Sequence, residues 1–342
     1  MSTYRASGVD TGAGDGLVEA IADDVMSTWS DGVIGRFGGF AGGFTIPEEY
    51  DRPVLMMTTD GVGTKAELAA RAGRFDGIGY DLVAMIADDL AAVGARTLAI
   101  TDYLAVGMIQ PEREKAVVAS IAAACREVGC ALIGGETAQH PGVMDPDRFD
   151  LAGAAVGVVE LGSEVTADDI ETGDVLIGLA SPNLRANGFS LVRSAVLPAL
   201  EFDGLFPGTD RTVASVLLEP SVLYSPAVLE VVQGSGVHGM AHVTGGGISD
   251  NLTRILPQNC RARVDLGSWN PPDVFAAVAE LGAITRGEMF ATFNMGVGFV
   301  LVVDPSESDA MLSSLGSNDH EAWVMGEINE DDRGVDLMGA GS

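Results

Sequence analysis

The stretch VLMMTTDGVGTKAELAARAG, residues 54–73, decides how the rest of the chain is read. An apolar run, Val54 to Met57, meets a carboxylate, Asp60, then two glycines, a lysine and the start of a helical pattern. Strand, glycine turn and helix in that order make a phosphate cradle, because turn amides and a helix N-terminus favour anions. A Walker A loop needs G-x-x-x-x-G-K-[ST]; here no Ser or Thr follows Lys65, so that reading fails. Gly61, Gly63 and Ala66 do satisfy the dinucleotide pattern, with Asp81 near the place of a ribose-binding acid. Asp60, however, abuts the first glycine and would repel a bare pyrophosphate. A divalent cation removes the conflict, since Mg²⁺ takes one or two carboxylates together with phosphate oxygens. Taken alone, the loop also fits a plain strand-turn-helix with a capping Asp.

Working outward, 342 residues are enough for about two domains. Strand patterns at 53–58, 97–106, 130–134 and 151–159 alternate with helical ones at 15–29, 64–72, 77–93 and 111–128. A polar stretch, ELGSEVTADDIETGD, precedes a fresh strand at Val175–Ala180. Helices follow around 187–199 and 220–233, then a strand into AHVTGGG and a helix from Ser249. Strands near 261–265, 297–303 and 322–328 and helices near 272–281 and 306–315 complete the pattern. The division is α/β in two parts, 1–165 and 166–342. Residues 30–47 read as a glycine-rich loop, and the tail after 329 as fraying.

The net charge of −30 argues against nucleic-acid binding, which needs basic surface. No apolar run reaches the length of a membrane span, and no secretory leader is visible, so a cytoplasmic protein is expected. Cys125, Cys130 and Cys260 form no C-x-x-C pattern and read as buried thiols. Only Lys65 and Lys115 are lysines, which makes a lysine beside a glycine loop conspicuous.

Three further segments carry chemistry. The helix Ile78–Val93 bears Asp81, Asp88 and Asp89 on roughly one side. Asp88 fits a solvated face, whereas Asp89 is hemmed in by Leu90 and the preceding apolar turn. LIGGETAQHPG places Gly134, Gly135 and Glu136 straight after a strand, as a tight turn or a close approach to a ligand. AHVTGGGISDNLTRILP ends a strand at Thr244, Gly245 and Gly246 and opens a helix bearing Arg254, a second possible anion site. His242 is a ligand or acid-base candidate there, or simply a hydrogen-bonded strand residue. EMFATFNMGVGF reads as a tight turn before a last strand.

In chain order YRASGVD, GGFAGGF, TTDGVGTK, IGYDLVAM, DDLAAVGA, DYLAVG, GGETAQHPG, DLAGAAVGVVE, NGFSLVR, LLEP, AHVTGGG and EMFATFNMGVG span nearly the whole chain. Together they resemble the phosphoribosylformylglycinamidine cyclo-ligase family, or aminoimidazole ribonucleotide synthetases, of the AIR synthase superfamily. The resemblance implies a two-domain α/β (α+β) fold whose N-terminal sheet pairs into a barrel across a homodimer, with a C-terminal α/β domain. It implies ATP and Mg²⁺, with Asp60, Gly61, Gly63, Thr64, Lys65, Gly134, Gly135 and Glu136 at the nucleotide and Asp60 and Asp89 at the metal. Lys65, Asp89 and His242 are the catalytic candidates. Arg185, Asn187, Gly188, Thr244, Gly245, Gly246 and Asn294 are the candidates for binding formylglycinamidine ribonucleotide. The implied reaction is ring closure: ATP phosphorylates the formyl oxygen, an amidine nitrogen attacks that carbon, and phosphate leaves. Positioning and charge neutralisation are its main demands. Alternatives are a superfamily member with another small acceptor, or a non-catalytic nucleotide-binding protein.

The chain departs from the family pattern in places. SPNLRANG puts Arg185 where a histidine is usual, and an arginine binds phosphate but does not shuttle protons near neutrality. Gln139 and His140 replace the usual acid and Met, Ser221 and Val222 follow LLEP, and Asp88 stands where Asn is commoner.

Overall fold

The computed structural model describes residues 11–234 and 236–339; YRASGVD, residues 4–10, lies outside them. Within them the chain divides into two units, 11–90, 96–161 and 218–223 against 91–95, 162–217 and 224–339. Two short segments, 91–95 and 218–223, thus belong with the other half of the chain, which a single cut in the sequence does not show.

In the first unit, α1 (Thr11–Met26) precedes a two-residue hairpin, β1 (Val33–Ile34) with β2 (Gly43–Phe44), that brackets the glycine-rich stretch. Four strands follow, β3 (Pro53–Gly61), β4 (Arg96–Val106), β5 (Ala131–Gln139) and β6 (Phe149–Glu160), in the order β3-β6-β4-β5. β6 is antiparallel to both neighbours, and β4 is parallel to β5. The helices are α2 (Lys65–Ala72), α3 (Ile78–Ala91) and α4 (Pro111–Val128). α4 begins with Pro111, whose missing N–H costs nothing at a first helical position, and ends on Gly129 at φ 79°.

α3 is apolar nearly all round, and Leu82 to Ala87 are all buried, as such a helix must be. It also buries Asp88 completely, while Asp89 stays partly exposed. The sequence reading of those two acids is therefore reversed: helix phase turns Asp88, not Asp89, into the core. A second correction concerns GGET. Parallel pairing with β4 continues through Thr101↔Gly134, Asp102↔Gly135 and Tyr103↔Glu136, so these residues lie in a strand and not in a turn.

Alternation along β3 gives its two faces different fates. Leu55 and Met57 are 52% and 74% exposed, and the register carries Tyr103 of β4 onto the same face, 44% exposed. Thr58 and Asp60 project from the opposite face.

The second unit is built on six strands: β7 (Val175–Ala180), β8 (Val237–His242), β9 (Cys260–Asp265), β10 (Val297–Val303), β11 (Ala322–Glu330) and β12 (Gly334–Met338). Their order is β12-β9-β11-β7-β10-β8, antiparallel except for β12 with β9. Every residue of β10 is buried, which explains its unbroken apolar run. Its helices are α5 (Phe189–Leu191), α6 (Val213–Leu217), α7 (Ser225–Val232), α8 (Gly247–Ile255), α9 (Asp273–Gly282), α10 (Arg286–Thr292) and α11 (Ser308–Ser317).

Four sequence expectations change here. The helix at 187–199 is only α5, continued by a π turn at Val192–Val196 and a 3₁₀ turn at Leu197–Ala199. α7 starts at Ser225 rather than 220, because Leu218–Leu223 belongs to the first unit. EMFAT, ahead of the turn expected at Thr-Phe-Asn, is helical: the Thr285 side chain caps α10 by accepting the Glu288 amide, and T-x-x-E was a readable signal. The tail does not fray at 329, since β12 pairs in parallel with β9 from Gly334↔Arg261 onward. All three cysteines are buried and free, and among the described residues no helix is long and apolar enough to cross a membrane.

Candidate active site

β3 delivers Asp60 and Gly61 to a turn in which Gly63 has φ 54°, and α2 begins at Lys65. The Asp60 carboxylate accepts the Gly61 amide at 2.7 Å, and the Leu151 carbonyl accepts the Val62 amide at 3.1 Å. Two amides that the sequence set against phosphate are thus already engaged. Lys65 differs more. It is 1% exposed, and its ammonium lies 2.7 and 2.9 Å from the two oxygens of Asp81 and donates to the Glu219 carbonyl at 2.8 Å. Asp81, fully buried, also accepts the Ser221 amide at 3.0 Å and hydroxyl at 2.6 Å. Burial pushes the Asp81 carboxyl up, opposed by Lys65 and then Ser221. In this conformation the charge of Lys65, expected at the nucleotide, is balanced internally. Asp81 holds that lysine rather than a ribose.

On the same face as Asp60, Thr58 donates its hydroxyl to Asp89 of α3 at 3.4 Å. Asp60 lies two residues further along β3, so Asp60 and Asp89 belong to one side of the sheet. Among the described residues no three His, Cys, Asp or Glu converge into a self-sufficient metal cluster. Two carboxylates on one face fit Mg²⁺ when phosphate and water complete its shell.

The register carries Asp60 sideways across the sheet, Asp60↔Gly153, Gly153↔Asp102, Asp102↔Gly135. That row ends at a cavity of about 540 Å³ enclosed by α1, the 36–42 glycine loop and β5. Gly134, Gly135 and Glu136 line it, as do Arg36 and Asp102, which the sequence reading did not single out. α1 is anchored there by the Trp29 indole, donating to the Leu132 carbonyl at 2.8 Å, and by the Thr28 hydroxyl, accepting the Leu132 amide at 2.9 Å. Gly135 leaves room for Asp102: a Cβ on it would meet a carboxylate oxygen of that side chain at 2.1 Å, so the carboxyl would have to move. The signal for this wall was the pair of glycine clusters, GGFAGGF and GGE, which only the fold brings together.

The second unit gathers a separate cluster. Asn187 and Gly245 are close, with a Cβ on Gly245 lying 3.6 Å from the Asn187 amide oxygen. Thr244 donates its hydroxyl to Asn251 of α8 at 3.3 Å, and Gly246 caps that helix at φ 94°. Gly188 has φ 77°, and a Cβ there would meet the Phe293 ring at 2.2 Å, so no other residue fits. Asn294 is buried, donates to the Asn183 carbonyl at 2.9 Å and accepts the Gly296 amide at 2.8 Å, fixing the turn into β10. His242 is buried and stacks on Phe299 at 6.1 Å.

Arg185 is also turned inward. It is 1% exposed at φ 57°, its guanidinium lies 4.7 Å over the Tyr224 ring, and it donates to the Gly298 carbonyl at 3.4 Å. Arg185, expected among the substrate-binding residues, is in this conformation a stacked internal cation.

These two units match known families in order. A family model described as AIR synthase related protein, N-terminal domain, matches residues 47–159, and the C-terminal domain of the same description matches residues 171–337. The fold and site therefore define an AIR synthase related protein. A phosphoribosylformylglycinamidine cyclo-ligase of Carboxydothermus hydrogenoformans is 42% identical over 336 residues, covering 97% of this chain and 98% of the relative. The chain belongs to the phosphoribosylformylglycinamidine cyclo-ligase family. The same fold occurs in thiamine-monophosphate kinase from Stenotrophomonas maltophilia, at TM-score 0.70 and 23% identity, covering 94% of this chain and 96% of that one. It occurs also in the hydrogenase maturation protein HypE in complex with ATP, at TM-score 0.64 and 18% identity, covering 91% and 86%.

Proposed function

We propose that this protein is an ATP-dependent ligase that closes formylglycinamidine ribonucleotide to aminoimidazole ribonucleotide in purine biosynthesis, working in the cytoplasm as a homodimer. The observation that carries the reading is the row of residues joining the Asp60 side of the sheet to the 540 Å³ cavity. A nucleotide seated there has its base among apolar side chains and its phosphates toward the two carboxylates. Asp60 and Asp89 would hold Mg²⁺, which supplies charge neutralisation for phosphoryl transfer when bound. Gly134, Gly135 and Glu136 would line the nucleoside, while Lys65 would set the loop's position through Asp81. In the second unit Asn187, Gly188, Thr244, Gly245, Gly246 and Asn294 would shape the acceptor site, with His242 and Arg185 behind them. Phosphorylating the formyl oxygen makes a leaving group, and holding the amidine nitrogen beside the activated carbon makes closure intramolecular.

With formylglycinamidine ribonucleotide, ATP and Mg²⁺ the purified protein is expected to release ADP only when that acceptor is present, in step with aminoimidazole ribonucleotide. ADP release that ignores the acceptor, or nucleotide binding without turnover, would return the alternatives named above. The homodimer is supported by the exposed Leu55, Met57 and Tyr103 face, a large apolar patch for a solitary sheet. Burying Met57 in a dimer is worth about 1.5–3 kcal/mol. Met57→Lys should therefore weaken dimerisation at least roughly tenfold in sedimentation velocity. A variant that stays dimeric at every concentration would place the interface elsewhere.

A further inference from the structure

Asp102 lines the cavity from β4, with its carboxyl set directly over Gly135 of β5. One side of the cavity is apolar, where α1 contributes Leu17, Val18 and Ile21 and α4 contributes Val118, while Arg36, Glu136 and Thr137 line it elsewhere. A flat heterocycle is the part of a nucleotide that suits the apolar side of this slot, and the Asp102 carboxyl over Gly135 is a group placed to read its edge.

We propose that Asp102 is the residue that selects the base of the nucleotide, meeting an adenine edge as a neutral carboxylic acid. This rests on the nucleotide reading above and assigns the base end of that site. The chemistry is one of matching donors to acceptors. A neutral carboxyl has one donor and one acceptor, complementary to the ring nitrogen and amino group of adenine. An ionised carboxylate only accepts, so it would face the adenine ring nitrogen lone pair to lone pair. It would suit guanine instead, whose corresponding edge donates twice.

The surroundings favour the neutral form. Burial pushes the Asp102 carboxyl up to about 7, a hydrogen bond from its own backbone opposes this, and the negative charge of Glu136 adds to the rise. The charged and titratable groups facing it are few. Glu136 comes from β5 and Arg36 from the glycine loop, and on α4 the Cys125 thiol is itself raised in part by Asp102. The α1 wall is apolar, and Asp60 lies two strands away along the same row. Protein acids kept neutral near pH 7 as hydrogen-bond donors arise from this kind of setting.

The test is calorimetric binding of the β,γ-methylene analogues of ATP and GTP with Mg²⁺ at pH 6.0, 7.0 and 8.5. If only the neutral acid binds adenine, affinity for the ATP analogue should fall about thirtyfold from pH 6.0 to 8.5, as the competent fraction shrinks. The phosphates titrate too, so the decisive comparison is with Asp102→Asn. An amide presents a donor and an acceptor at every pH, and this variant should keep the pH 6.0 affinity and retain only the phosphates' share of the pH dependence. Asp102→Leu should lose at least tenfold in ATP-analogue affinity at pH 6.0 while keeping its near-ultraviolet circular dichroism. Equal pH profiles in the wild type and Asp102→Asn, or full affinity in Asp102→Leu, would overturn the assignment while leaving the nucleotide site standing. No binding of either analogue to the wild type would overturn the site itself.

Discussion

Asp89→Asn should lower turnover by about 10²-fold or more and leave the fold intact. The side chain projects from α3, a helix whose core-facing residues are fully buried, so its backbone position does not depend on its charge. The carboxyl itself is only partly buried, and Thr58 holds it on the Asp60 side of the sheet at 3.4 Å. An amide keeps that size and can still accept from Thr58. It removes the full negative charge that, with Asp60, would attract a divalent cation to the nucleotide phosphates. The loss should therefore appear first as a rise in the Mg²⁺ concentration needed for half-maximal ADP release, and then as a lower plateau. Circular dichroism and the thermal midpoint should stay near wild type. A variant within threefold of wild-type turnover at all Mg²⁺ concentrations would take Asp89 out of the site.

Much of the fold was legible because its elements carry strong periodicity and clean punctuation. β3, α2, α4 and β7 fall where apolar alternation, Gly73, Pro111 and Gly129 put them. What stayed hidden depends on pairing partners distant in sequence. Nothing local in GGET says that β4 will extend it as a strand, and nothing in the acidic tail announces a parallel partner in β9. The site divides the same way. Glycines and acids were visible as candidates, but Asp102 sits in DYLAV, an ordinary strand pattern, and becomes notable only once α1 and the glycine loop wall it in. Side-chain direction was equally out of reach. Arg185 and Lys65 were read by charge, yet Tyr224 and Asp81, respectively 39 and 16 positions away (224 − 185; 81 − 65), turn both inward.

That inward turn of Lys65 gives the largest expected effect on stability. Lys65→Met should cost about 3–5 kcal/mol of unfolding free energy at neutral pH, because it leaves the Asp81 charge buried without its partner. Ser221 alone, through one amide and one hydroxyl, does not neutralise that charge. Asp81→Leu should cost a similar amount by stranding the ammonium. The double variant should recover most of the loss, since apolar side chains of similar size often replace a buried pair at little cost. The pH dependence distinguishes this from a simple packing defect. Burial already holds the Asp81 carboxyl above its unfolded value even with Lys65 present, and removing the lysine raises it further. Between the unfolded and folded values the native state binds more protons, so stability falls as pH rises through that window. The deficit of Lys65→Met should accordingly shrink between pH 8 and pH 5 in urea titrations, while that of Asp81→Leu should not. What the pair contributes is then position rather than stability: it ties the start of α2, which follows the glycine loop in the chain, to residues 219–221. A well-folded double variant should lose affinity for the ATP analogue, and one that folds and binds as tightly as wild type would show that the ion pair does not set the loop.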